Sequence, residues 1–288
     1  MMPNLKNLKI SLFFNNYRGI KILNYLLKKK ININHIFLAK KFLNSKIINH
    51  VKKTKIKFDL IENLENKKIY DLLKDGKNLS VICGFPYIFK KKLIKLTKLG
   101  ILNCHAGKLP QYRGGSPLHW QMINNEKYIG LSVIKINEGI DAGNIVEEKK
   151  FKLLKNYYIQ DVLRITNRSF PHLVFKSIKK IISNKKLKKQ KLKNAKYYRQ
   201  RKPKDSKINF KNIRATELDC FTRALNDPYP NAYFHFKNKI IKVKKIKYHN
   251  ISLKPGEIKI LNNNFYIGCK NSSVKLMDYK IVKIKKYD

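Results

Sequence analysis

Apolar residues along this chain recur at two spacings, and the place where the pattern changes divides it. Over about the first 150 residues, short β-prone runs alternate with segments of helical spacing. LKISLFF, near residues 7–13, reads as a buried strand. NNYRG makes a turn, and IKILNYLLKKK is a helix with a basic last turn. HIFLAKK is a second strand, KIINHVKKTKIKF a helix followed by a strand, and NKKIYDLLKD another helix. NLSVICGF is a buried strand, KKKLIKLTKLG a helix, and ILNCHA one more strand. This alternation predicts an α/β fold: a Rossmann-like, mostly parallel sheet flanked by helices, with ligands beyond the carboxyl ends of its strands.

Past residue 150 the pattern differs. IQDVLRITNRSFPHLVFKSIKKIISN reads as a long helix, interrupted at Pro171. The run NKKLKKQKLKNAKYYRQRKPKDS is a linker or a solvated surface stretch. Short β-prone runs follow, in NAYFHFKNKIIKVKKIKYH, GEIKILNNNFYIGCK and SSVKLMDYKIVKI, separated by Asn, Gly and Pro turns. They predict a small C-terminal β-barrel-like (OB-like) domain. The expected division is a catalytic domain over 1–190, a basic linker over 191–204 and a β domain over 205–288.

Composition narrows the function classes. With 288 residues and 43% hydrophobic content the chain can bury a full core and is not a disordered protein. No apolar stretch approaches the roughly 20 residues that cross a bilayer, so no membrane span is expected. The start MMPNLKNLKISLFF imitates a secretory signal, but NNYRG follows instead of a small-residue cleavage pattern, and a first strand is the better reading. Four cysteines, Cys83, Cys104, Cys220 and Cys269, are far apart and form no zinc-spaced cluster. They read as buried thiols in a reducing, cytoplasmic setting, with no metal. The net charge of +47 fits attraction to RNA, or drift toward Lys, Asn and Ile. The lysines are spread over every segment rather than gathered on one, which suits drift.

The chemistry is concentrated between Asn103 and Val146, in NCHAGKLPQYRGGSPLHWQMINNEKYIGLSVIKINEGIDAGNIV. The segment leaves a strand end and enters a loop rich in Gly and Pro, a usual place for an active site. Asn103 and His105 are two apart, so an extended strand points both to one face. An amide donor beside an imidazole suits polarising a carbonyl and holding an oxyanion; one such donor is worth about 2.7–4 kcal/mol of barrier. Asp141 lies between glycines that let the backbone bend back, and a carboxylate near the imidazole would fix its tautomer and help relay a proton. Taken singly, each residue also has a structural explanation, as a turn cap or a satisfied histidine.

NCHAGKLPQYRGGSP followed by EKYIGLSVIKINEGIDAGNIV resembles the signature of the folate-dependent formyltransferases. That family has Asn and His two apart, a Leu-Pro then Arg-Gly loop, and an Asp between glycines. Asn103, His105, Leu109–Pro110, Arg113–Gly114 and Gly139–Asp141–Gly143 all match. SVICGFPYIFKKKLIKLTKLGILN, RKPKDSKINF and RALNDPYPNAYFHFKNKIIKV extend the likeness, with Asp227–Pro228–Tyr229–Pro230 at the family's Asp-Pro-aromatic-Pro turn. The resemblance implies a metal-free transferase using 10-formyltetrahydrofolate, with Asn103, His105 and Asp141 catalytic. It implies donor contacts from Phe85, Pro86, Tyr87, Ile88, Asn137, Gly139 and Ile140. Acceptor contacts would come from Lys108, Leu109, Pro110, Tyr112, Arg113, Gly114 and Trp120, although Trp120 equally suits core packing.

Two acceptors follow from the likeness. RGGSPLHWQMINNEK and NDPYPNAYF are closer to the sugar N-formyltransferases, which act on nucleotide-linked amino sugars. Gly107–Lys108 also occurs in sugar-like relatives, where the tRNA enzyme has Ser-Leu. Methionyl-tRNA is the alternative, and the basicity suits it. That enzyme, however, carries a long Arg/Lys/Gly-rich insertion after its second strand, whereas HIFLAKKFLNSKIINHVKK runs straight on. A third possibility, a non-catalytic basic RNA-binding protein, predicts damaged catalytic residues, and all three are present. The sequence is compatible with assembly into an oligomer.

Overall fold

The computed structural model describes residues 7–42 and 44–283. The basic start of the chain and its last residues, with Ile284 of the last strand-like run, lie outside the described residues. Two compact units form. One holds the described residues up to 114 with 130–151 and 164–197; the other holds 115–129, 152–163 and 198–283.

In the first unit, strands and helices alternate as the apolar spacing predicts: β1 (Lys9–Phe14), α1 (Tyr17–Lys28), β2 (Ile33–Ala39), α2 (Ser45–Lys53), β3 (Phe58–Ile61), α3 (Lys67–Lys74), β4 (Asn78–Cys83), α4 (Lys91–Lys95) and β5 (Ile101–His105). After the short β6 (Arg113–Gly114) the chain passes through the helix α5 (Pro117–Ile123) of the second unit, and β7 (Tyr128–Lys135), β8 (Asn144–Lys152) and α6 (Ile159–Ile182) follow. α1, α2 and α3 start at side-chain caps: Asn16, Asn44 and Asn66 each accept a bond from a first-turn backbone N–H. The seven-stranded sheet has the order β3-β2-β1-β4-β5-β7-β8. β1 to β5 pair in parallel and β7 runs antiparallel to β5. A mostly parallel sheet is therefore present as expected. Its strands read as near-continuous apolar runs because both faces are covered; every residue of β4 is buried. On one face Phe13 stacks on Phe37 at 4.6 Å, and Phe85 and Phe89 meet Phe13 edge-on.

Helix α6 corrects one expectation: it continues through Pro171 without a break. Proline removes a backbone bond at a cost of about 3 kcal/mol. Phe170, Leu173, Val174 and Ile178 are all buried around it, and that apolar burial outweighs the loss.

The second unit is built on α5, the two-residue β9 (Tyr197–Tyr198) at its border, α7 (Ala215–Ala224) and five further strands: β10 (Ala232–Phe236), β11 (Lys239–His249), β12 (Ile258–Leu261), β13 (Asn264–Gly268) and β14 (Ser273–Lys283). They form an antiparallel sheet of order β10-β11-β14-β13-β12, with β10 and β12 at its two ends. Ile241, Val243, Phe265, Ile267, Val274 and Leu276 pack with Leu218 of α7 into its core. No helix among the described residues is long and apolar enough to cross a membrane.

His119 on α5 lies edge-on against Tyr229, with ring centroids 4.3 Å apart. Burial, then the positive charge of Arg201, holds its pKa down to about 4. The unfolded chain then binds the extra proton first. This contribution to stability is complete above about pH 6.5 and is lost as pH falls toward about 4. Between pH 7 and pH 5 the second unit should lose about 2 kcal/mol from this group. Urea unfolding followed through Trp120, the chain's single tryptophan, checks it, and His119→Gln should flatten the slope.

Candidate active site

β5 lies where the sheet changes direction, parallel to β4 on one side and antiparallel to β7 on the other. Its carboxyl end carries Asn103 and His105 on one face, with His105 5% exposed. The connection from β7 to β8 then brings Asp141 back to them. Asp141 takes a left-handed backbone conformation, φ +48°, which costs a non-glycine residue about 1–2 kcal/mol. The surrounding loop over-determines it: Asn137 Oδ1 accepts from Gly139 N at 3.1 Å, and Ala142 N donates to the Gly139 carbonyl at 3.3 Å.

The Asp141 carboxylate is the hub. Oδ1 accepts from Asn103 Nδ2 at 3.1 Å. Oδ2 accepts from Gly114 N at 2.9 Å and lies 3.3 Å from His105 Nδ1. The other ring nitrogen, Nε2, meets the Tyr112 carbonyl. Both ring nitrogens of His105 thus lie beside oxygen atoms, Asp141 Oδ2 on one side and the Tyr112 carbonyl on the other. Gly107 closes over this contact: a Cβ there would fall 2.3 Å from His105 Nε2 and 2.5 Å from the Tyr112 oxygen. The three residues singled out in the sequence are brought together, 38 positions apart in the case of Asn103 and Asp141. An amide donor, an imidazole and a carboxylate at one strand end can hold an oxyanion and move a proton.

The loop between β5 and α5 is pinned rather than open. Tyr112 N donates to the Lys108 carbonyl at 2.9 Å, and the side chains of Leu109 and Tyr112 are buried. Lys108 is exposed and Pro110 half-buried. Arg113 Nε and Nη2 both donate to Gln190 Oε1, at 3.1 and 2.8 Å. Trp120 belongs to the second unit, where its Nε1 donates to the Arg199 carbonyl at 3.0 Å, Tyr198 packs at 5.4 Å and Arg201 sits over the ring at 5.0 Å.

The segments expected to meet the donor form a second feature. Phe85 and Tyr87 pack edge to face at 5.4 Å and share a core cluster with Ile136, just before Asn137. A Lys91–Glu138 ion pair of 3.1 Å ties the segment after Ile88 to the loop that holds Gly139 and Ile140. Both loops leave apolar side chains uncovered, Ile88 at 71% and Ile140 at 50% exposure. Pro86, Tyr87 and Ile88 also line a cavity of about 970 Å³, opposite Asn66, Lys67 and Tyr70.

The sequence did not single out Gln190 or the backbone groups of Tyr112 and Gly114. Backbone roles carry no residue signature, and Gln190 is hidden inside a lysine-rich run.

Residues 34–175 match the family described as formyl transferase, and residues 201–287 match the formyl transferase C-terminal domain. This chain belongs to the formyl transferase family. A methionyl-tRNA formyltransferase of Orientia tsutsugamushi (strain Boryong) is 30% identical over 224 residues, 76% of this chain and 72% of that protein. Among solved structures, the N-formyltransferase of Helicobacter canadensis, in complex with folinic acid and dTDP-3-aminofucose, superposes with a TM-score of 0.74 at 20% identity. That match covers 95% of this chain and 100% of the other. The methionyl-tRNA formyltransferase of Clostridium thermocellum superposes with a TM-score of 0.60 at 16% identity, covering 96% of this chain and 99% of that one. As a formyl transferase, the chain has the family's two-part layout, a mostly parallel α/β sheet followed by an antiparallel β domain.

Proposed function

We propose that this enzyme moves the formyl group of 10-formyltetrahydrofolate to a primary amine, and that Asn103, His105 and Asp141 carry the step. The observation behind this is the single carboxylate, Asp141, within reach of both the Asn103 amide and the His105 imidazole. A neutral amine nitrogen forms a bond to the formyl carbon, and the carbonyl electron pair moves onto oxygen. Asn103 and His105 donate to that oxyanion. Asp141 holds the imidazole and takes the ammonium proton, through water. The oxyanion's electron pair then re-forms the carbonyl as the bond from the formyl carbon to N10 of the folate breaks; N10 gains the proton taken from the ammonium, and an N-formyl product leaves. Breaking the His105–Tyr112 contact frees Nε2 for this work.

The donor lies against Phe85, Pro86, Tyr87 and Ile88 on one side and Asn137, Gly139 and Ile140 on the other. The uncovered Ile88 and Ile140 supply apolar area for a flat heterocycle. Lys108, Leu109, Pro110, Tyr112, Arg113 and Gly114 form the acceptor side of this reading, the buried ones by shaping the loop; Trp120 is assigned to the acceptor by the family resemblance alone. In this reading residues 1–190 carry the catalytic role, 191–204 are a basic linker and 205–288 the C-terminal β domain, although 115–129 and 152–163 pack with the second compact unit and 191–197 with the first. The cysteines described are all free thiols, which suits work in the cytoplasm.

The acceptor in this reading is a nucleotide-linked amino sugar. β2 ends at Ala39 and α2 begins at Ser45, which leaves no room for a long basic insertion. The closer superposition on the dTDP-3-aminofucose complex supports the same choice. Methionyl-tRNA is the second reading, favoured by the 30% identical relative. Tetrahydrofolate release with UDP- and dTDP-amino sugars in one set and charged methionyl-tRNA in another separates them. Release only with an amino sugar supports the first, and release only with methionyl-tRNA replaces it.

A further inference from the structure

Gln190 spends its whole side-chain amide on the site. Its Nε2 donates to the Asp141 carbonyl at 2.8 Å and to the Gly143 carbonyl at 2.7 Å, and its Oε1 accepts both Arg113 bonds. The backbone brings it there: Ile145 and Lys188 exchange two hydrogen bonds as an antiparallel bridge, which sets residue 190 opposite residue 143. The same strap returns at Lys196, whose carbonyl accepts from Arg113 N at 3.0 Å and whose N–H donates to Pro110 at 3.2 Å. The partners fix the amide's orientation, since carbonyls only accept and a guanidinium only donates.

We propose that Gln190 is a positioning residue for formyl transfer, holding the Asp141 turn and the Arg113 loop in one register. This rests on the reading that Asp141 is catalytic. Asp141 occupies a costly left-handed conformation, and Gln190 adds to the loop's own bonds by holding that residue's carbonyl and the one two residues on. Through Arg113 it also fixes the strand that presents Gly114 N–H to the Asp141 carboxylate. The lysine-rich run is therefore a structural part of the site at this point, not only a connector.

Two variants separate the roles. Gln190→Met removes every bond at similar size. Gln190→Glu keeps an acceptor for Arg113 but sets a carboxylate against two carbonyls. Asp141→Asn measured alongside tests the Asp141 reading independently, because its kcat must fall whether or not Gln190 positions the turn. Both Gln190 variants should lose about 10- to 100-fold in kcat, the scale of a displaced catalytic group. They should also shift the acid limb of the pH–rate profile, with thermal melts confirming folded protein. The proposal is overturned if kcat per folded molecule and the profile stay at wild-type values. It is equally overturned if Gln190→Glu keeps full kcat, which would leave Arg113 as the residue's only task.

Discussion

Asp141→Asn should lower kcat by about 100- to 10,000-fold while leaving the fold intact. The carboxylate receives Asn103 Nδ2 and Gly114 N and faces His105 Nδ1, so it serves three donors with two equivalent oxygens. An asparagine has one acceptor oxygen and one NH2 group. Whichever way it is turned, the NH2 meets a donor that previously had an acceptor. The amide also cannot take a proton from an ammonium. Melting temperature should change little, because the side chain is small and the αL conformation suits asparagine as well as aspartate. The check is single-turnover transfer with saturating donor. A loss below tenfold would remove Asp141 from the proton path.

Gly143→Ala should cost both activity and stability. A Cβ at Gly143 would fall 2.0 Å from the Lys135 carbonyl oxygen, 2.9 Å from the Lys135 carbonyl carbon and 3.0 Å from Ile136 Cα. None of these is the end of a flexible side chain, so the backbone itself must move. The site affected is the exit of the Asp141 turn, where Gln190 also bonds the Gly143 carbonyl. Overpacking of this kind typically costs about 1–3 kcal/mol. A displacement of about 1 Å at a catalytic group is worth about 100-fold in rate. Urea midpoints and kcat measured together test this, with activity expected to fall further than the folded fraction alone explains.

Much of this architecture was legible in the apolar spacing. β1 to β5 and their intervening helices follow from runs such as NLSVICGF and IKILNYLLKKK, because buried parallel strands and amphipathic helices leave strong periodic signatures. The antiparallel β domain was readable from its Asn and Gly turns between short runs. Pro171 misled, since local propensity cannot register the tertiary burial of Phe170 and Val174. In the site, Asn103, His105 and Asp141 were visible as residue types at a strand end and between glycines. Their convergence on one carboxylate depends on the β7–β8 connection, which spacing does not encode. Gln190 was invisible for a similar reason. Its role comes from an isolated bridge at Ile145–Lys188, inside a segment whose composition reads as solvated.

The most direct test follows the carbon itself. The enzyme is supplied with 10-formyltetrahydrofolate labelled with ¹³C in the formyl group, and amino-sugar nucleotide or methionyl-tRNA is offered as acceptor. The account predicts labelled N-formyl product from wild type with one of these amines, and almost none from His105→Ala at equal folded concentration. Label that never reaches an amine, or reaches it as fast without His105, would contradict it.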